Sequence, residues 1–191
     1  MYVSHTRVLD YDGVLWLVNA KPSGIYPSMA KKFINQLFNM LSHHKRVHVI
    51  RFDLHQRDYN PDNKRMTVFI TRLKKRLMAQ YKLVRIGYCW VREQETAAAQ
   101  HYHYVLFLDQ RVINYPHKVL NIIRQVWAEM AGFCYIPKHC FYNVSRNDLA
   151  TIQKVIYRIS YFAKARGKGR RPPQTNDYST SRIGLNTNKI I

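Results

Sequence analysis

Acidic residues are scarce in this chain: 11 Asp and Glu stand against 31 Lys and Arg, a formal charge of +20 over 191 residues. Such a surface repels itself unless its partner is a polyanion, which makes nucleic acid the first candidate. Long apolar runs are absent too. No stretch approaches the roughly 20 apolar residues of a spanning helix, and residues 14–18 are too brief for the apolar core of a signal peptide. The expectation is a soluble protein in the cytoplasm of a bacterial host, with no membrane partner. Cysteine is also rare. Cys89, Cys134 and Cys140 are odd in number and lack Cys-x-x-Cys spacing, which excludes a disulfide framework and a zinc knuckle. Cys134 and Cys140 with His139 lack a suitably spaced fourth ligand.

The chain does have 47% hydrophobic residues, enough for one sizeable core. Asp10 to Gly13 reads as a turn into a short strand over 14–18, and Pro27-Ser28 opens a helix to about residue 41 with Phe33, Leu37 and Leu41 as its buried stripe. Over 46–55, Ile50, Phe52 and Leu54 alternate with Arg51, Asp53 and His55, which predicts a strand with one apolar and one polar face. Phe69, Leu73 and Leu77 then mark an amphipathic helix whose outer face carries Arg72, Lys74, Lys75 and Arg76. Residues 83–95 and 101–109 read as an antiparallel hairpin. Pro116 starts a helix that Gly132 ends, and a Cys/Tyr/Phe-containing connection follows. Asn147 or Asp148 caps a last helix to about residue 165. The sum is an α+β fold: one catalytic or binding domain over 1–165 and, over 166–191, a basic tail of Arg, Lys, Gly, Pro, Ser, Thr and Asn that is mobile without its partner.

Two constellations carry chemistry. His101-Tyr102-His103 is the one His-x-His in the chain, and on a strand both imidazoles share a face. A hairpin register centred on Ala98 sets Glu93 opposite His103 and Glu95 opposite His101, so a carboxylate joins the two rings. That donor set, completed by water and phosphate oxygens, suits Mn²⁺ or Mg²⁺, with Glu95 as the alternate carboxylate. Asp53 and His55, together on one face of their strand, are candidates for a further ligand or a supporting partner. On the last helix, Tyr157, Tyr161 and Lys164 fall on one stripe, while Ile152, Val155, Ile156, Ile159 and Phe162 fill the other. The core therefore does not need the tyrosines. A phenol is a weak nucleophile near its pKa of about 10, and Lys164 is spaced to favour the developing phenolate.

These residues resemble the HUH endonucleases, marked by His-hydrophobic-His on a strand and Tyr-x-x-Lys on a later helix. Here those motifs are His101-Tyr102-His103 and Tyr161-Phe162-Ala163-Lys164. The string from Tyr157 to Lys164 resembles the paired tyrosines of phage rolling-circle initiators, and Glu93 stands where those proteins place a third ligand. The nearest likeness is to the inovirus replication-initiator-like YagK/YfjJ group, over roughly residues 27 to 185. It includes Arg51-Phe-Asp-Leu-His55, Trp90-Val-Arg-Glu93 and Ser179-Thr-Ser-Arg182-Ile-Gly184.

The resemblance implies a central antiparallel sheet flanked by helices, in an RNA-recognition-motif topology with the metal on the open sheet face. It also implies nicking of single-stranded DNA, or of a hairpin, at a specific site through a 5′-phosphotyrosine, with unwinding left to a separate helicase. Arg51, Asp53, His55, Arg72, Lys74, Lys75, Arg76, Lys168, Arg170 and Arg171 are the expected DNA contacts. Initiation of rolling-circle replication, nicking of another replicon by a satellite element and transposition all fit this chemistry. A noncatalytic single-strand binder also fits the charge.

Overall fold

In the computed structural model, which describes residues 1–187, a mixed sheet-and-helix architecture grows from two patterns of burial. An N-terminal hairpin joins β1 (Val8–Tyr11) to β2 (Val14–Leu17). Asp12 and Gly13 both take positive φ, 57° and 76°, as a tight turn matched to strand twist requires. Helix α1 (Pro27–His43) starts on Pro27, whose missing N–H costs nothing there.

The large sheet is antiparallel throughout. Strand β3 (Arg46–Gln56) pairs with β5 (His101–Asp109), which pairs with β4 (Gly87–Glu93). On its other side β3 receives β6 (Gly132–Tyr135) along one half and β7 (Phe141–Ser145) along the other. A short strand, β8 (Tyr178–Thr180), closes the far edge on β4. Helix α2 (Lys64–Tyr81) links β3 to β4 and α3 (His117–Ala128) links β5 to β6. The order β6-β3-β5-β4 makes this a split βαββαβ unit, the topology that the resemblance implies.

Both faces of the sheet are covered. Helices α2 and α3 bury Phe52, Leu54, Tyr102, Tyr104 and Leu106 on one side. Helix α1 and α4 (Leu149–Ser160) bury Val49, Val91, Val105 and Phe107 on the other. The face of β3 read as polar is therefore half apolar: Val47 and Val49 pack in that second core, while Asp53 lies further along the same face and is buried too. An open sheet face for the metal gives way to a site at one end of this covered face.

Three sequence expectations change. The connection after α3 is two strands, β6 and β7, and Gly132 opens β6 rather than ending the helix. The left-handed residue there is Ala131, at φ 55°. Gly132 is needed for space: a Cβ would stand 2.2 Å from the Trp127 indole nitrogen, whose N–H donates to the His55 carbonyl at 2.7 Å.

The last helix, capped by Asp148 accepting from Thr151 N–H at 3.0 Å, stops at Ser160 and tightens into one 3₁₀ turn, Tyr161–Ala163. It stops because the following backbone pairs elsewhere: Tyr26 N–H donates to Ala163 O at 2.8 Å and Ala165 N–H to Gly24 O at 3.1 Å.

The segment after 165 is not separate from the domain. Gly167 O accepts from Gln94 N–H at 2.9 Å, β8 pairs with β4, and Ile183 O accepts from Asn39 Nδ2 at 2.7 Å. A polar composition concealed this because the docking uses backbone groups at a sheet edge that would otherwise be unpaired. The end of the predicted tail, 188–191, lies outside the described residues. Among those described, no helix is long and apolar enough to cross a membrane.

Candidate metal centre

Strand β5 lies in the middle of the sheet, so its alternate residues are gripped from both sides. His101 pairs with His55 on β3 and with Glu93 on β4; His103 pairs with Asp53 and with Val91. The hairpin register is thus two residues away from the one read from sequence. A shift of two keeps every side chain on its face, so Glu93 still meets both histidines. Glu95 does not: it lies past the end of β4, where Arg166 Nε holds it at 2.5 Å. The alternate ligand is excluded by this register.

Donor atoms of Glu93, His101 and His103 all lie within 4.8 Å of one another. His103 Nε2 is 3.0 Å from Glu93 Oε2, and His101 Nε2 is 3.9 Å from the same oxygen. On the far side of its ring, His103 Nδ1 lies 2.7 Å from Asp53 Oδ1, a close ion pair bent away from hydrogen-bond geometry. Asp53 thus backs the His103 ring on the side away from Glu93; it is buried, and Arg51 also reaches it at 3.6 Å. Carboxylate, imidazole and second carboxylate in line is the arrangement that orients a histidine towards a cation.

The electrostatics of Glu93 and His101 suit such an ion, which at His103 would displace the proton held towards Glu93. Burial works against charge on Glu93, but the bond from His103 and the Lys168 ammonium bring its pKa down to about 2. Burial and the neighbouring His103 charge lower His101 to about 4, which leaves it neutral with a lone pair to donate. Burial also opposes charge on His103, yet Asp53 and Glu93 outweigh it and raise that pKa. Two imidazoles and a carboxylate are donors that a divalent cation accepts.

Tyr161 stands beside this cluster. Its ring centroid is 5.8 Å from that of His103, at an interplanar angle of 74°. Lys164 Nζ lies 4.4 Å from the Tyr161 centroid, and the Arg51 guanidinium carbon 5.2 Å from it. Phe162, read only as a core residue, stacks on His103 at 5.6 Å and 11°. The 3₁₀ turn, at three residues per turn, brings Lys164 back over Tyr161, where a continuous α-helix would leave it about 60° short. Tyr157, 40% exposed, contacts neither histidine.

The expected DNA contacts divide. Arg51 is mostly buried between Asp53, Tyr161 and Phe162, and His55 stacks on His101 at 5.2 Å; both belong to the centre. Arg72, Lys74, Lys75 and Arg76 sit on α2, on the opposite layer. There Arg76 pairs with Glu129 at 2.7 Å and Lys74 lies 5.0 Å from the Tyr88 ring centroid. The side chain of Lys168 is 1% exposed, with its ammonium on Glu93 Oε1. Arg170 donates to the Glu95 carbonyl, and Arg171 pairs with Asp177 at 2.9 Å. Nothing in a basic run distinguishes a buried lysine from its solvated neighbours, so sequence could not separate Lys168 from the rest.

A family model described as the YagK/YfjJ C-terminal domain matches residues 17–177. No curated protein and no solved structure matches.

Proposed function

For a chain that belongs to the YagK/YfjJ C-terminal domain family, we propose metal-dependent nicking of single-stranded DNA, with Tyr161 as the nucleophile. The observation that carries this reading is a tyrosine ring set against His103 of the His103–Glu93–His101 donor cluster, the two coming from distant pieces of chain.

Glu93, His101 and His103 would hold the ion, Mn²⁺ or Mg²⁺, with Asp53 orienting His103. A bound divalent ion polarises the scissile phosphate. Tyr161 Oη would form a bond to phosphorus as the P–O3′ bond breaks; the phenolic proton passes to water, and the 3′ oxygen takes a proton from water to leave as a hydroxyl. The product is a 5′-phosphotyrosine and a 3′-hydroxyl able to prime synthesis, as initiation of rolling-circle replication requires. Lys164 and Arg51, the cations nearest the ring, would offset the negative charge that gathers on phenolate and phosphate. Tyr157, one helical turn earlier and outside these contacts, would serve a second cleavage only after movement.

Labelled single-stranded DNA from the source element, incubated with Mn²⁺ and run on a denaturing gel, tests this. Wild type and Tyr157→Phe are expected to give a covalent adduct and Tyr161→Phe none. No adduct on any strand would leave a noncatalytic binder.

A further inference from the structure

We propose that edge strand β6 is a stacking platform for unpaired bases, with Phe133 and Tyr135 each taking one base of a single strand led towards the metal centre. The identity of the ligand rests on the reading above; the platform itself rests on geometry.

On β6, Phe133 pairs with His55 and Tyr135 with Asp53. Paired residues share a face, so both rings project on the side of the sheet that carries the donor cluster. Both are open to solvent, Phe133 at 63% and Tyr135 at 52%. The residue between them, Cys134, points the other way and packs against the core under α3. This strand thus reverses the usual economy, with its aromatic rings outside and its small residue inside.

The rings are also aligned. Phe133 stacks on His55 at 4.7 Å and 18°, and His55 stacks on His101 at 5.2 Å and 8°. Three nearly parallel rings therefore run across β6, β3 and β5, ending at the exposed Phe133. An aromatic face that is flat, held by its neighbours and already desolvated on one side loses little freedom when a base stacks on it.

Cations stand alongside. Lys138 follows in the β6–β7 connection, and Arg158 from α4 donates to its carbonyl at 3.0 Å. Bases within a duplex have no free faces, so the platform selects unpaired strands. A protein partner would meet the same positive field without the compensating phosphates, in a chain of net charge +20.

The test is a fluorescence-anisotropy titration of a mixed-sequence single-stranded oligonucleotide and its duplex, with EDTA present so that no cleavage occurs. Phe133→Ala and Tyr135→Ala are each expected to weaken single-strand binding about tenfold, leaving the dependence on salt unchanged because no phosphate contact is lost. Phe133→Tyr should restore affinity. Tyr115→Ala, which removes an equally exposed ring near Phe141, should bind as wild type.

Wild-type affinity in both alanine variants, an equal loss on duplex, or no single-strand binding by the wild type would each overturn the proposal. If the variants lose affinity while the wild type forms no adduct, the platform stands and the nickase reading falls. If adducts form and the variants bind as wild type, the platform falls alone.

Discussion

His103 is held between two carboxylates, Asp53 2.7 Å from its Nδ1 and Glu93 3.0 Å from its Nε2. The ring is buried among Phe162, Tyr161 and the sheet, so its orientation is set before any ligand arrives. Asp53 favours the proton on Nδ1, so that once the proton shared with Glu93 is displaced Nε2 faces the cluster as a ligand.

Replacing Asp53 with Asn keeps the shape and removes the charge that fixes this tautomer. Mn²⁺ affinity, measured by calorimetry, is expected to fall about 10–100-fold with the melting transition still cooperative. Unchanged affinity would show that Asp53 does not support the site.

Lys168 and Glu93 form a buried pair in which each charge answers the other. Removing the ammonium as Lys168→Met leaves a desolvated carboxylate, and urea unfolding without metal should show a loss of about 3 kcal/mol. A loss below about 1 kcal/mol, typical of a solvated pair, would mean that the segment after residue 165 does not dock as described.

Burial lowers the pKa of His48, against the opposing bond of its Nδ1 to Asn143 Oδ1 at 2.5 Å, and burial lowers that of His44 despite Asp109. Both histidines then bind protons more readily in the unfolded chain, whose pKa is about 6.5. Stability is full above that value and falls as the pH drops from it towards the folded pKa. Through these two groups, denaturation midpoints should decline as the pH falls between about 6.5 and 5. His48→Asn retains a donor near Nδ1 and should flatten part of that decline; an identical slope would refute the assignment.

Arg72 and Lys75 are exposed on α2, across the sheet from the donor cluster. Changing both to Gln should leave single-strand affinity and its salt dependence nearly unaltered. A fall of roughly 2 in the slope of log affinity against log salt would bring α2 into the DNA path.

Composition and periodicity determined much of this protein: the positive surface, the α+β class, α1, β3, α2 and the β4–β5 hairpin, and the common face of His101 and His103. Each rests on forces local in sequence, since charge content, the 3.6-residue helical period and the two-residue strand period need no knowledge of the far chain. Glu93 could be placed because a hairpin ties its strands through a short connection, although the register moved by two and removed Glu95.

The tertiary structure decided the rest. Asp53 met His103 because β3 and β5, distant in sequence, became neighbours; Tyr161 left the helix because the backbone of residues 163–165 was claimed by residues 24–26. Lys168 went inside because Glu93 and a free sheet edge awaited it. Such pairings depend on which surfaces the whole chain leaves uncovered, and no local pattern contains that information.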